Sequence, residues 1–539
     1  MLTPESHGVK PLVCAAALCE SRAPTEGAAV SDQTRSTPPA PQSVWWQTSA
    51  PIPADASVPS AAEIVVAGGG LTGIATALML ARQGRRVVVV EAREAGAGTT
   101  GNTTAKLSLL QGDVLSGLRT HAGDAAVRAY VAGNRAAQEW LIGEAGALPA
   151  LARPATAYTF ATTAEGASAV AQEAEALEMA GLEHRVVPSG AGEQIGLPFP
   201  VTGALAMDGQ YLLQPLRVLR LLADRLREAG GRIVQGCRVT GARLNENGVC
   251  VETDRGEIDC TTLVLATGTP ILDRGLFFAK LEPQRSLVGA YTVEGDRGLP
   301  DGAYLSVDPV SRSLRTAEDR SGRTVLLVGS ESYTTGRGGS IAERLAGLDE
   351  WTRERYPTAR RTTWWAAQDY RATSRLPYAG ALPRGGGRIH VATAYNKWGM
   401  TNAVAAALSI AGAISGDRPD WARELEATRP FAGGETVAAN AKVAGELVAG
   451  WARAETSADS GDETPEGGGR VVRTGLQPVA ESTVDGVTCR VSGVCTHLGG
   501  ILAWNDAERS WDCPLHGSRF DARGKVIEGP AVRDLDPVK

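Results

Sequence analysis

Two cysteines and two histidines stand close together near the C-terminus. Cys495-Thr496-His497 is followed, after 15 intervening residues, by Cys513-Pro514-Leu515-His516. The chain holds six histidines in all, so two of them falling here, each near a cysteine, is a poor fit to chance. Thiolates and imidazoles are metal donors. Zinc accepts two Cys and two His tetrahedrally, but zinc ribbons and fingers usually pair Cys with Cys at one knuckle. Here each segment offers one of each. That suits a [2Fe–2S] cluster whose cysteines hold one iron and whose histidines hold the other. Spacing alone leaves both metals open.

A second site lies near the start. Gly68-x-Gly70-x-x-Gly73 stands between an apolar run at 63–67 and a helical stretch reaching residue 83. The first glycine permits a tight turn, the second lets the backbone approach a pyrophosphate, and the third lets the helix pack on the sheet. The helix N-terminus presents free N–H groups and the positive end of its dipole to phosphates. A turn at Gly84 and a strand over 87–90 complete a βαβ unit, and Glu91 follows where a carboxylate accepts hydrogen bonds from ribose hydroxyls. Gly96-x-Gly98-x-x-Gly101 fits the same pattern but follows no strand, so it is not a separate fingerprint. The pattern does not choose between FAD and NAD.

The surrounding chain has 539 residues, 43% hydrophobic and 21% charged, with a formal net charge of −6. That length implies about three or four structural units. The mild acidity gives no basic footprint for nucleic acid. The longest apolar run, 403–414, is too short for a spanning helix of roughly 20 residues, so no stable membrane span is expected. Residues 11–19 make a weak signal-like stretch without a clean cleavage site. Eight cysteines without regular spacing suggest a reducing, cytoplasmic setting. Residues 1–60, rich in Pro, Ser, Thr and Ala, read as a disordered extension in which the pair Trp45-Trp46 could dock, and a later start such as Val30 is conceivable from composition. A helix is expected over 215–228, strands over 232–235 and 263–266, and an inserted α+β layer over 160–215 and 280–375. The acidic, Gly-rich stretch 453–469 reads as a flexible linker, and 470–539 as a small β domain. The expected fold class is therefore α/β plus β: a Rossmann-like domain with an α+β lid over 61–452, then a small all-β domain.

Residues 45–450 resemble the D-amino-acid-oxidase-like (glycine/sarcosine-oxidase) superfamily of FAD-dependent oxidoreductases. The landmarks are the glycine fingerprint, Gly98-Thr99-Thr100-Gly101-Asn102-Thr103-Thr104-Ala105-Lys106, Leu263-Val264-Leu265-Ala266-Thr267-Gly268, and Ala392-Thr393-Ala394-Tyr395-Asn396-Lys397-Trp398-Gly399-Met400-Thr401 before an Ala-rich helix. The resemblance implies FAD stretched across the sheet, with Thr99, Thr100, Thr103 and Thr104 near the pyrophosphate and ring, Val239 beside adenine, and Gly268, Gly399, Met400 and Thr401 around the flavin. Ala394 stands where relatives often have Gly. Residues 465–539 resemble a Rieske domain, through Cys495-Thr496-His497-Leu498-Gly499, Trp511-Asp512-Cys513-Pro514-Leu515-His516-Gly517-Ser518-Arg519-Phe520 and Gly529-Pro530-Ala531. This resemblance implies a [2Fe–2S] cluster on Cys495, His497, Cys513 and His516. Respiratory-chain relatives brace the two loops with a disulfide; here its positions are Gly500 and Leu515. Phe520 replaces a Tyr that would donate to a ligand sulfur. Fewer donors stabilise the reduced cluster less, which places the potential in the lower half of the range of about −150 to +300 mV for such centres. Cys489 reads as a small buried residue.

The candidate catalytic residues are Lys106, Asn396 and Lys397, with Gln368-Asp369-Tyr370 expected to reach the pocket. The function expected is oxidation of a small amine or amino-acid-like substrate at FAD, with electrons passed singly through the cluster to a redox partner or acceptor. The alternatives are an amine oxidase that reduces oxygen directly beside a structural or sensing cluster, and an electron-transfer protein with no small-molecule substrate. A Rieske oxygenase needs a further iron held by two His and a carboxylate, and the remaining histidines are scattered.

Overall fold

The computed structural model describes residues 19–21, 41–146, 148–295, 298–429, 434–457 and 463–538. The βαβ unit forms where expected, as strand Ile64–Ala67, helix Leu71–Arg82 and strand Val87–Val90. Both strands are apolar throughout and buried at every position, as strands covered on both faces must be. They lie inside a six-stranded sheet in the order Tyr378–Ala381, Ile389–Thr393, Thr262–Leu265, Ile64–Ala67, Val87–Val90, Arg232–Val234. All neighbours are parallel except the Tyr378–Ala381 edge, which is antiparallel. Helices Leu71–Arg82, Pro215–Glu228 and Gly399–Ser415 contribute to one core on this sheet. A three-stranded sheet, Val239–Leu244, Val249–Thr253 and Gly256–Cys260, joins the other core. Helix Pro215–Glu228 has the bounds its leucine spacing predicts, with Leu216, Leu219, Leu222 and Leu226 all buried.

The expected α+β layer is a ten-stranded sheet built around the long strands Ala152–Ala161, Gly203–Leu213, Leu281–Thr292 and Arg360–Ala372. Strand Leu281–Thr292 pairs with Arg360–Ala372 over nearly its whole length. This pairing carries Gln368, Asp369 and Tyr370 over the C-terminal ends of the parallel strands. The C-terminal part is all β. One sheet contains Gly469–Thr474, Gln477–Val484 and Val487–Ser492; the other contains Ala503–Asn505, Ser510–Asp512, Arg519–Asp521 and Val526–Glu528.

Two boundary expectations are corrected. Within 1–60, the described residues from 41 onward are not a loose extension. Helix Val44–Thr48 buries Val44 and Trp45. The Trp45 Nε1–H donates to Thr103 O (2.7 Å) and Ser43 Oγ to Gly101 O (2.5 Å). Gly101 must lack a side chain here, because a Cβ would stand 2.8 Å from the Trp46 indole nitrogen. The signal-like residues 11–18 and Val30 lie outside the described residues. The stretch 453–469 is not one free tether either. Helix Gly434–Thr456 runs into it, Gly467 N–H donates to Thr483 O at 2.8 Å, and Thr464 is bonded to Glu481. Residues 458–462 lie outside the description. Cys489 is buried, as expected, but disulfide-bonded, while Cys237, Cys250, Cys260, Cys495 and Cys513 carry free thiols. Among the described residues no single helix is long and apolar enough to cross a membrane.

Candidate active site and cluster site

The glycine turn makes a cradle that only glycine allows. Gly68 has φ +109°, and a Cβ there would meet Ala266 O at 2.3 Å; one on Gly73 would meet Gly68 O at 1.9 Å. Gly70 begins the helix without a side-chain cap, so no side chain of its own stands between the helix N-terminus and a phosphate. Glu91 is fixed by the N–H groups of Gly69 (2.7 Å to Oε2) and Arg93 (2.8 Å to Oε1). The Thr100 hydroxyl accepts Leu71 N–H at 3.1 Å.

An elongated cavity runs from this turn across the strand ends. Gly68, Gly70, Glu91, Thr99, Thr100, Thr103, Val239, Gly268, Gly399, Met400 and Lys397 line it. Gly73 does not; it supports the turn from behind. Thr401 is fully buried and faces away, accepting from Gln111 Nε2 at 3.2 Å. Helix Gly399–Ser415 also begins without a side-chain cap or an acidic residue in its first turn, so its positive end is free to face negative charge in the cavity. The loop before it is strained: Ala394, Asn396 and Lys397 all have positive φ, +68°, +47° and +69°. A positive φ at Ala394 is backbone that glycine adopts more readily than alanine.

A second cavity of about 580 Å³ adjoins the first and shares Thr99, Thr103, Asp369, Lys397 and Met400 with it. Thr104, Lys106 and Asn396 line only this second cavity. Lys106 is buried, and its Nζ donates to Tyr304 O (2.6 Å) and Ser313 Oγ (2.7 Å). Burial, helped by the Arg315 guanidinium, pushes its pKa down to about 7. Lys397 lies on the ridge between the cavities, exposed to the space they share although neighbouring atoms crowd it. Loss of water lowers its pKa to about 8 against the opposing pull of Asp369 and Glu331, and its ammonium is bonded to Ser286. Asp369 is pushed up by burial although it accepts the Lys397 N–H. The threonine loop is braced by Trp45 and by Arg315, which donates to Thr104 O (2.8 Å) and Ala105 O (3.0 Å).

The two Cys-His loops converge. Cys495 and Cys513 are both buried free thiols, hydrogen-bonded to one another: contact with Cys513 and the N–H groups of His497 and Leu498 hold Cys495 below the usual thiol value, at about 7, while Cys513 is held well above it. The His497 and His516 rings lie 5.1 Å apart. Burial lowers the pKa of both imidazoles, that of His516 to about 4 and that of His497 against the pull of Asp273, and so favours the neutral, ligating form. Their Nδ1 atoms are buried without a hydrogen-bond partner, an unusual state for a polar atom and one that iron would relieve. Among the described residues no three Cys, His, Asp or Glu gather about one ion position. The donors divide into a sulfur pair and a nitrogen pair, as a two-iron cluster takes them. The missing loop disulfide has a physical replacement: Leu515 packs so closely on Gly500 that a Cβ there would stand 2.7 Å from Leu515 Cδ1.

Several contacts join the cluster domain to the rest of the chain. Arg285, 1% exposed, pairs with Glu508 (2.6 Å) and Glu528 (3.2 Å). Asp506 caps helix Ile341–Arg355, accepting Ile341 N–H at 2.8 Å. Arg238 donates to Val526 O (3.0 Å) and Arg337 to Pro514 O (2.8 Å). The segment from Ile527 to Val532 forms part of the wall of the elongated cavity. Sequence reading missed this wall and the Arg285 pairs; it expected the Trp45-Trp46 pair to dock, but not that Trp45 would hold the threonine loop. An arginine or a Pro-Ala turn carries no local signal of a contact more than 200 residues away.

A family model described as "FAD dependent oxidoreductase" matches residues 63–413, and one described as "Rieske [2Fe-2S] domain" matches 459–539. A protein of Bacillus subtilis (strain 168) described as "Putative Rieske 2Fe-2S iron-sulfur protein YhfW" is 28% identical over 504 residues, covering 92% of this chain and 97% of its own. Among solved structures, L-amino acid deaminase from Proteus myxofaciens has a TM-score of 0.54 at 16% identity, covering 69% of this chain and 94% of its own. Glycine oxidase from Geobacillus kaustophilus also scores 0.54, at 17% identity, covering 67% and 96%; both show the fold alone. The chain belongs to the FAD-dependent oxidoreductase family, with a Rieske domain at its C-terminal end, and so takes FAD and a [2Fe–2S] cluster.

Proposed function

We propose that this enzyme oxidises a small amine or amino-acid-like substrate in the cavity beside FAD and sends the electrons one at a time through the cluster to an external acceptor. The observation that carries the reading is the adjacency of three spaces: a polar cavity of about 580 Å³ sharing wall residues with the FAD cavity, and a FAD cavity walled in turn by the cluster domain. FAD supplies two-electron oxidation of a C–H bond next to nitrogen, and the cluster supplies one-electron carriage.

The residues of the second cavity do the rest. Lys106, neutral over half the time at pH above about 7, takes a proton at Nζ from the substrate ammonium and so frees the nitrogen lone pair. The walls orient the substrate C–H toward the shared residues Thr103 and Met400. Asn396 and Lys397 present polar atoms to the same space. Asp113 and Asp308 in its lining favour a cationic substrate, while Glu331 is already paired with Arg312 and Arg344 and Arg371 with Glu282.

The reading is tested by mixing the holoprotein anaerobically with a panel of amines and amino acids. Flavin bleaching followed by the EPR signal of a reduced cluster is expected. Flavin bleaching without cluster reduction, with fast recovery in air, favours an oxygen-reducing oxidase. No bleaching with any amine overturns the substrate assignment. An electron-transfer protein without its own substrate is disfavoured by the size of the second cavity.

A further inference from the structure

We propose that Gln368 and Tyr370 are the positioning residues that couple the two redox sites, electrons crossing from the FAD cavity through strand Arg360–Ala372 to the histidine edge of the cluster. This rests on the reading above that the two centres exchange electrons, and adds the route.

Tyr370 stands between the two sites. It lines the FAD cavity and also a small cavity containing His497 and His516. On one side its ring lies 3.7 Å from where a Gly268 Cβ would stand; on the other its hydroxyl donates to Gly529 O at 3.3 Å. Gln368 makes a second connection. Its Nε2 donates to Gly517 O (2.9 Å) and to the Tyr370 hydroxyl (2.8 Å), and its Oε1 accepts from Thr335 (2.8 Å). Its own carbonyl accepts from Thr99, whose side chain belongs to the threonine loop of the FAD cavity. Thr99, Gln368, Gly517 and His516 therefore form an unbroken series of hydrogen and covalent bonds from one site to the other. Gln368 is 3% exposed and Tyr370 6%. A fully bonded amide in such a place fixes one arrangement of its neighbours, where an apolar side chain of equal volume would only fill space.

The cluster is seated for this route. Gly517, with φ +80°, lets the loop press on Pro283, where a Cβ would stand 2.5 Å away. Phe278 lies 5.5 Å from the His516 ring and 6.5 Å from that of His497. Asp273 Oδ1 is 3.3 Å from His497 Nε2. The histidine edge thus faces the FAD-binding part of the chain. Each crossing moves one electron from reduced flavin to one ferric iron. An external one-electron acceptor must reoxidise that iron before the second electron follows, and it approaches by another face.

The test is intramolecular transfer in the holoprotein, with no substrate turnover. A pulse of photochemically generated reductant delivers an electron to the flavin, and flavin reoxidation and cluster reduction are followed at their separate absorption bands. Both potentials are measured so that rates are compared at equal driving force. In Tyr370→Leu and Gln368→Leu the transfer is expected to slow by about tenfold or more, with FAD and iron content retained. If either variant fails to hold both cofactors, Tyr370→Phe, which keeps the ring and loses both hydroxyl bonds, is measured in the same way. Transfer in the unaltered protein with unchanged rates in the variants overturns the route alone. Absence of any transfer in the unaltered protein overturns the functional reading on which it rests.

Discussion

Arg285→Ala is the sharpest test of how the two parts are held together. The guanidinium is 1% exposed and is shared between Glu508 and Glu528. Arg519, itself buried, binds the same two carboxylates at 3.1 and 3.2 Å and Asp512 at 2.9 Å. Two arginines thus share three carboxylates at the interface, leaving one net negative charge. Loss of water works against the Arg285 charge, as does Arg519, but the carboxylates outweigh both and keep it firmly protonated. Truncation leaves three buried carboxylates to one guanidinium, and breaking a buried pair this way costs about 3–5 kcal/mol. Taken from the docked state, that is a factor of about 10² to 10³ or more in the docking equilibrium. The expected result is a more extended particle in small-angle scattering, faster proteolysis between the domains, and slow cluster reduction by substrate while the cluster itself stays intact. Arg285→Met combined with Glu508→Gln and Glu528→Gln should recover much of the docking, because removing both sides of a buried pair is often nearly neutral. An Arg285→Ala protein with unaltered scattering and unaltered cluster reduction refutes the reasoning.

Further outcomes are expected at three positions. Lys106 has a folded pKa of about 7 against 10.5 for an ordinary lysine, so substrate-driven flavin reduction should rise as pH rises through about 7, and Lys106→Met should lose that limb and about 10²-fold or more in rate. Because the unfolded chain binds the extra proton between those two values, stability should increase with pH across that window; Lys106→Met should flatten this dependence in thermal melts, and an unchanged slope counts against the buried neutral amine. Gly68→Ala, whose Cβ would collide with Ala266 O at 2.3 Å, should yield protein lacking FAD absorbance but keeping its iron, whereas full flavin content would contradict the cradle. Trp45→Ala should cost about 3–5 kcal/mol and loosen FAD, read by flavin release on heating, since Trp45 both fills a core and holds Thr103 O.

What the sequence made readable was what is local. The βαβ unit is written in contiguous valines and glycines, and the cluster loops in rare residue types a few positions apart. The leucine spacing of 215–228 places that helix without any tertiary knowledge. The docking was not readable, because it is assembled from Arg285, Gln368 and Tyr370 on one side and from Glu508, Gly517 and Gly529 on the other. The Trp45 helix is five residues long and has no periodicity to detect; its reason to exist is the gap left by Gly101. Thr401 and Gly73 belong to the motifs but not to the cavity wall, because a motif reports which segment forms a site and not which way each side chain turns.

The cluster potential follows from the same local detail. Around the sulfurs, the donors to Cys495 include the His497 and Leu498 N–H groups and Ser518, and those to Cys513 the Leu515 and His516 N–H groups. Phe520 is fully buried in the core of this domain with the cysteines and brings no hydroxyl. Each absent donor leaves the extra electron of the reduced cluster less stabilised, so the midpoint should fall in the lower half of the range of about −150 to +300 mV. Phe520→Tyr adds one hydroxyl where the resemblance to other Rieske domains puts a donor to a ligand sulfur, and should raise the midpoint. Spectroelectrochemistry on both proteins decides the matter: a midpoint in the upper half, or one indifferent to the added hydroxyl at full iron content, means that the count of donors to sulfur does not set this potential.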